Sequence, residues 1–462
     1  MTSKRMLSLA LFALGALVAS AALSAQTAPA RMIPFSEFQT GLSTAKHTEY
    51  VGKPQVRVKQ AADFEEMRQH LTKLYTGVKV THSFVLETDT YDCIPINQQP
   101  SVRLLGITKI AEAPPAGVVR NIRPEAELAP KAEPAREAVQ VAHSASQARQ
   151  VAEDIREDKF GHSTHCEANT IPIRRVTLEE MTRFSTLREF FNKGPNEAAG
   201  IPKANAKTPP CTGNCPVEHK YSVVNQTVNN WGGNSTLNVW SPYVNTSQGE
   251  IFSLTQHWYV GGSGTSLPGL QTVEVGWQNY PAKYGDERSR LFIYHTADGY
   301  HSTGCYNHDC GDFVQTNGGV YLGGGFTNYS TTNGTQWEFN IQVQLYQGNW
   351  WIFYGTTPFG YYPGSLFHGG QLTHNATNAQ YGTETVGSTV WPPAGSGGQP
   401  STGWGKAAYQ RDLFYITSSH TGIWESLSNW NIAPCYAISG PFSGSGAWAL
   451  YFYDGGPGGG GC

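Results

Sequence analysis

Thr272–Cys310 reads TVEVGWQNYPAKYGDERSRLFIYHTADGYHSTGCYNHDC. Val273, Val275 and Trp277 alternate with Thr272, Glu274 and Gly276, the period of a strand, so Glu274 projects from the face opposite the large apolar side chains. Periodicity alone puts such a mid-strand Glu on a solvated face. A charged, turn-rich connection holding Tyr284, Asp286, Arg288 and Arg290 leads to a second apolar run and then to Cys305 and Cys310. Outward from this stretch the same pattern repeats in STLNVW, IFSLTQHWYVGG, QWEFNIQVQLYQGNWWIFYGT, TETVGSTVW, DLFYIT and WALYFYDGG, each bounded by Gly, Asn and Ser. Phe339, Ile341, Val343 and Leu345 share one face, and the QGN from Gln347 reverses the chain into a partner strand. Serial hairpins of this kind predict a mainly β fold, an antiparallel β-sandwich, preceded by a small α+β region.

Composition divides the chain near residue 215. All 12 Trp residues lie beyond it, and from Glu218 onward 13 Asp or Glu stand against six Lys or Arg, a net of −7 in a chain whose total is −3. Nothing here has the basic surplus of a nucleic-acid binder. Residues 1–25, with Lys4 and Arg5 ahead of an apolar run and small residues ending at Ala25, read as a cleaved secretory signal too short to span a membrane. The expectation is a soluble monomer that is secreted, extracellular or periplasmic in a bacterium. Within 26–193, Phe64, Met67, Leu71, Leu74 and Tyr75 recur at helical spacing and predict a helix over Ala61–Thr76, followed by a strand over Val78–Thr88. Thr177 and Glu180 form a capping box opening a helix toward Phe191. An Ala, Glu and Pro-rich stretch over about 111–158 reads as a disordered or loosely helical insertion, and 194–216, with five prolines, as a linker.

The segments EVGW, YGDERSRLF, DGYHSTGCYNHDCGDFVQTN and YFYDGGPG resemble the catalytic domain of the neprosin family of glutamic peptidases, while HSFVLETDTYDCIPINQQPS and the IPIRR segment after Cys166 are similar to the activation peptide that precedes it. The resemblance implies an activation propeptide over 26–193, a cleavable linker over 194–216 and a peptidase domain over 217–462. Its catalytic pair falls on Glu274 and on Glu384, in QYGTETVGS. It further implies cleavage after proline in acid, proline-containing peptides as substrates, the propeptide as intramolecular inhibitor, and disulfides Cys93–Cys166, Cys305–Cys310 and Cys435–Cys462. That leaves Cys211 with Cys215. Eight cysteines suit an exported chain.

The β region lacks a nucleophile elbow, a P-loop, HExxH or a dinucleotide fingerprint, so no cofactor is expected and carboxylates carry the chemistry. One ionised Glu would take a proton from water while a protonated one donates to the oxyanion or leaving nitrogen. Gln256, in phase with Phe252, Leu254 and Trp258, either orients that water or is a core amide satisfied by backbone. Trp277, Tyr284, Tyr361 and Tyr362 either line a groove suited to proline rings or fill the core. His295, His301, Cys305, His308 and Cys310 have the composition of a metal cluster, but an exported context favours the disulfide and no metal is expected. Two rival readings are a carbohydrate-binding module and a glycoside hydrolase using the same two Glu.

Overall fold

A computed structural model describes residues 31–115, 120–123, 140–141, 157–193, 216–262 and 269–462, with backbone alone at 120–123, 140–141, 431 and 447. The signal, most of the Ala, Glu and Pro-rich insertion, nearly all of the linker and the Cys211–Cys215 pair lie outside the described residues.

The N-terminal region packs helices α1 (Phe35–Thr44) and α2 (Ala61–Tyr75) against an antiparallel sheet of β1 (His82–Leu86), β2 (Asp89–Pro95) and β3 (Thr170–Arg174). The expected helix over Ala61–Thr76 forms, burying Phe64, Met67, Leu71, Leu74 and Tyr75. The expected strand is shorter, because Glu87, at φ 55°, turns the chain so that Leu86 pairs with Asp89. The capping box at Thr177 is present, yet the helix it opens, α3 (Leu178–Met181), stops early. A second helix, α4 (Leu187–Phe191), starts afresh where the Thr186 hydroxyl accepts from the Glu189 amide. Two pieces of the insertion, Arg120–Arg123 and Gln140–Val141, are extended, not disordered or helical; each pairs in parallel with a strand of the second sheet.

The C-terminal region runs through β4 (Glu218–Asn230), β5 (Gly232–Asn238), β6 (Glu250–Gly261), β7 (Gln271–Asn279), β8 (Arg290–Thr296), β9 (Val314–Gln315), β10 (Trp337–Tyr346), β11 (Asn349–Tyr354), β12 (Thr357–Pro363), β13 (Ala376–Gly387), β14 (Ala408–Ile416), β15 (Thr421–Trp424), β16 (Ser428–Ile432), β17 (Ala437–Ser443) and β18 (Leu450–Gly455). One sheet has the order β8-β7-β6-β13-β4-β16; the other runs β9-β12-β11-β10-β5-β14-β15, with β18 on β14 and β17 on β18. These strands pair antiparallel throughout, and the fold is mainly β. Gln347 and Gly348, both at positive φ, make the two-residue turn between β10 and β11, as the QGN run predicts.

The sheets close on a core of Val273, Val275, Trp277 and Ile293 from the first against Phe339, Ile341, Val343 and Leu345 from the second. The other face of the first sheet is covered too. Phe252, Leu254, Trp258, Phe292 and Tyr294 pack under Phe64, Met67, Leu71, Phe190 and Phe191 of the N-terminal region. Every residue of β7 is therefore buried, and Glu274 is not on a solvated face. Disulfides Cys93–Cys166, Cys305–Cys310 and Cys435–Cys462 are formed. No helix among the described residues is long and apolar enough to cross a membrane.

Candidate active site

On the covered face of the first sheet, three polar side chains lie along one diagonal. Gln256 of β6 pairs laterally with Gly276 of β7 and Gly382 of β13. Glu274 and Glu384 lie two residues from those glycines, so they flank Gln256 on either side. The glycines are required by crowding: a Cβ at Gly276 would stand 2.0 Å from the Thr255 carbonyl oxygen, and one at Gly382 2.0 Å from that of Ser222. Gln256 Nε2 donates to Glu384 Oε2 at 3.1 Å.

Among the described residues, one cation from outside the sheet meets both carboxyls. Lys193, just beyond α4, sends Nζ to 2.6 Å from Glu274 Oε2 and 2.6 Å from Glu384 Oε2. Its side chain is 2 % exposed, and the rings of Trp258 and Tyr294 stand 5.6 and 6.0 Å from the ammonium. Burial disfavours the charged amine, but the two carboxylates outweigh it and push its pKa up. The remaining oxygens have distinct partners. Glu274 Oε1 accepts from the hydroxyls of Thr272 and Tyr300, each at 2.7 Å. Glu384 Oε1 lies 2.5 Å from Nδ1 of His219, near the start of β4. Burial pushes the Glu384 carboxyl up, yet Lys193 and His219 more than offset this and hold it down at about 2.

Tyr300 sits at φ 68° in the loop after β8, a conformation uncommon outside glycine. The Asp298 carboxylate braces that loop by accepting from the backbone of Ser302 and the hydroxyl of Thr303, at 2.9 and 2.7 Å. Arg188 of α4 reaches over it and donates to the carbonyls of Ser302 and Thr303 at 3.0 and 2.9 Å. The segment that supplies Lys193 thus also clamps the loop that supplies Tyr300.

Glu274, Glu384 and Gln256, singled out in the sequence, are brought together; the aromatic residues are not. Trp277 lies in the core between the sheets, its Nε1 donating to the Asn238 carbonyl at 2.9 Å, and lines no cleft. Tyr362 is in the same core and Tyr361 packs on Trp351 beyond it. Tyr284 is buried between the guanidinium groups of Arg174 and Arg290, at 5.4 and 4.7 Å, where the two regions join. The aromatic residues at the carboxyl pair are instead Trp258, Tyr294 and Tyr300. Cys305 and Cys310 are spent in their disulfide, while burial drives the imidazoles of His295 and His308 down to about 3 and about 4.

Lys193, His219 and Tyr300 escaped the sequence reading. Lys193 stands at the edge of the Pro-rich stretch, His219 in a run with no motif, and only Tyr300 lies within a segment already quoted.

Structures similar in part include two of scytalido-glutamic peptidase, with a transition state analog inhibitor and with a peptide based transition state analog. The chain is 11 % and 12 % identical to them, each at a TM-score of 0.29, with 52 % of this chain and 98 % and 99 % of those chains covered. CG-16, a homodimeric agglutinin from chicken liver, matches at TM-score 0.18 and 12 % identity over 37 % of this chain and 97 % of its own. Likeness this low says nothing about the site. The sequence match is more direct: residues 249–457, the span that holds Gln256, Glu274 and Glu384, fit the family model named Neprosin. Residues 249–457 thus carry a domain that matches the Neprosin family.

Proposed function

We propose that the chain is a secreted endopeptidase, held latent by its own N-terminal region, that hydrolyses peptide bonds after proline in acid. The observation that carries this reading is one ammonium, from outside the family domain, neutralising two buried carboxyls of that domain at 2.6 Å each. Lys193 fills the position from which a water could touch both. Once it leaves, the oxygens Glu274 Oε2 and Glu384 Oε2 face a common space walled by Trp258 and Tyr294. Two like charges so close cannot both persist in a buried site, so one carboxyl takes up a proton.

The partners decide which. Glu384 keeps an imidazole on its other oxygen and an amide N–H beside it, both of which favour an ionised carboxylate. Glu274 keeps two hydroxyls, which can turn and accept as readily as donate. Glu384 is then the base and Glu274 the acid. Water gives its proton to Glu384 as its oxygen bonds to the peptide carbonyl carbon, and Glu274 protonates the carbonyl oxygen. Collapse of the tetrahedral adduct breaks the C–N bond as one hydroxyl returns its proton to Glu274, and the proton held by Glu384 passes to the departing nitrogen. A proline ring next to the scissile bond would pack on the face of Trp258 or Tyr294.

A digest of proline-containing peptides near pH 3, followed by mass spectrometry, tests the reading; cleavage on the carboxyl side of proline, absent in Glu274→Gln, is the expected result. Hydrolysis of a glycoside in place of the peptide, or sugar binding indifferent to loss of both carboxyls, would overturn it.

A further inference from the structure

We propose that His219 is a positioning residue for the reaction: through its Nδ1 contact at 2.5 Å it keeps Glu384 ionised after Lys193 has gone, and so sets the lowest pH at which the enzyme works. The inference rests on the function proposed above, and deepens it by adding a residue outside the matched span of 249–457.

In the latent site Glu384 has the Lys193 ammonium on one oxygen and the His219 imidazole on the other, and of these two only His219 belongs to the C-terminal region. A buried carboxylate stripped of both would be driven toward its neutral form, which cannot take a proton from water. His219 prevents this. Its imidazole is 5 % exposed and fixed from several sides. Backbone pairing sets it opposite Val386, diagonal to Glu384 on the same face. The ring of Phe252 in β6 meets it edge-on at 5.8 Å, and Tyr221 lies 6.2 Å away on its own strand. Its sequence neighbours are occupied with each other: Lys220 pairs with Glu218 at 2.9 Å and lies over the Trp391 ring at 5.1 Å. Among the described residues, the charged or titratable groups facing Glu384 are Lys193, His219, Tyr300 and, across the ammonium, Glu274, with Gln256 the neutral neighbour. When the His219 ring is protonated, its charged N–H bonded to a carboxylate is stronger than a neutral one.

The test measures kcat/KM against pH for the acid-processed full chain, its His219→Ala and His219→Asn variants, and Glu384→Gln. His219→Ala should lower the maximal value roughly tenfold to a hundredfold and move the acid limb up by about one pH unit. Asn offers an N–H near the Nδ1 position without charge, so His219→Asn should regain part of the rate and keep the displaced limb. An acid limb in folded His219→Ala that coincides with the parent overturns the proposal, whatever the rate. Undiminished peptide hydrolysis by Glu384→Gln would instead sink the proposed function itself. Should neither variant fold, 15N-histidine shifts of the parent enzyme decide: His219 is expected as imidazolium at the pH of maximal rate, and a neutral ring there refutes the inference.

Discussion

Two buried ion clusters join the N-terminal region to the C-terminal one, and their polarity is opposite. At the carboxyl pair the cation, Lys193, comes from the N-terminal region and the anions from the sheet. At the second cluster the N-terminal charge that pairs across the junction is an anion. Asp89 of β2 binds Arg290 of β8 at 2.6 Å and its own Arg174 at 2.8 Å, while Asp286 binds Arg288 at 2.7 Å and Arg290 at 2.6 Å. Arg174 also pairs with Glu180. This second cluster is a mesh in which almost every charge has two partners. At the first, among the described residues, one lysine two positions beyond its helix bridges both carboxyls. Loss of a member from the mesh leaves the others paired, whereas loss of Lys193 leaves two carboxylates confronting each other with no countercharge between them. A mesh holds; a single cation can be withdrawn.

The sharpest break in this contrast is at the carboxyls themselves. Glu274→Gln and Glu384→Gln should each lower peptide hydrolysis by about a thousandfold or more with the circular dichroism spectrum unchanged; near-normal turnover by either would remove it from the reaction. Next comes the cation. Lys193→Met keeps the side-chain length but not the charge, and breaking a buried pair costs about 3–5 kcal/mol. The precursor should then lose its latency, seen as peptide hydrolysis before any cleavage of the chain, and a variant as silent as the parent would deny Lys193 an inhibitory part.

Acidification probes both clusters together. Glu384 is held at about 2 against an ordinary 4.5, and Asp89, though burial alone would raise it, is drawn below an ordinary 3.8 by Arg174 and Arg290. A depressed carboxyl stabilises the docked state fully above its ordinary pKa and loses that contribution as pH falls through the depressed one. The precursor should therefore loosen between about pH 4.5 and pH 2, with Glu384 contributing at most about 3 kcal/mol, since His219 stays beside it after Lys193 leaves. Melting temperature and N-terminal sequencing across pH 2 to 7 check this, with new termini expected near Pro202, Pro209 or Pro210 and none in Glu274→Gln. Processing fastest at neutral pH would contradict it. The smallest effect is predicted for Asp89→Asn. The mesh keeps Arg290 on Asp286 and Arg174 on Glu180, so the precursor should lose only about 1–3 kcal/mol by denaturant melting, and the processed enzyme should be unaffected. A loss equal to that of Lys193→Met would erase the distinction between the clusters.

Much of this was legible in the sequence because strands write their faces with period two. Alternation around Val273, Val275 and Trp277 assigns Glu274 to the opposite face, and the phase of Phe252, Leu254 and Trp258 puts Gln256 on the face where Glu384 also lies. What alternation cannot state is what covers a face. The expectation of a solvated Glu failed because α2 and α4 lie over that side of the sheet, a contact between residues far apart in the chain. Trp277 follows from the same gap: the side chain opposite the carboxylate faces the core, so its size carried no information about a cleft. Lys193 and His219 are contacts across more than 150 positions, from segments too short to show any period. The single predicted helix from Thr177 became two because Thr186 caps a second one, its hydroxyl accepting from the Glu189 amide.

Lys193 is joined by continuous chain to β4, the strand that carries His219. In the latent form proposed above, the inhibitor and the site it fills therefore share one molecule, and the lysine meets its carboxyls at an effective concentration of the order of millimolar however dilute the protein. A contact of modest intrinsic strength suffices under that condition. One cut in the connecting segment converts it to an ordinary bimolecular complex, whose occupancy follows dilution. Secretion into a large volume would then complete what cleavage begins, and the same cut made in a crowded compartment would leave the enzyme silent.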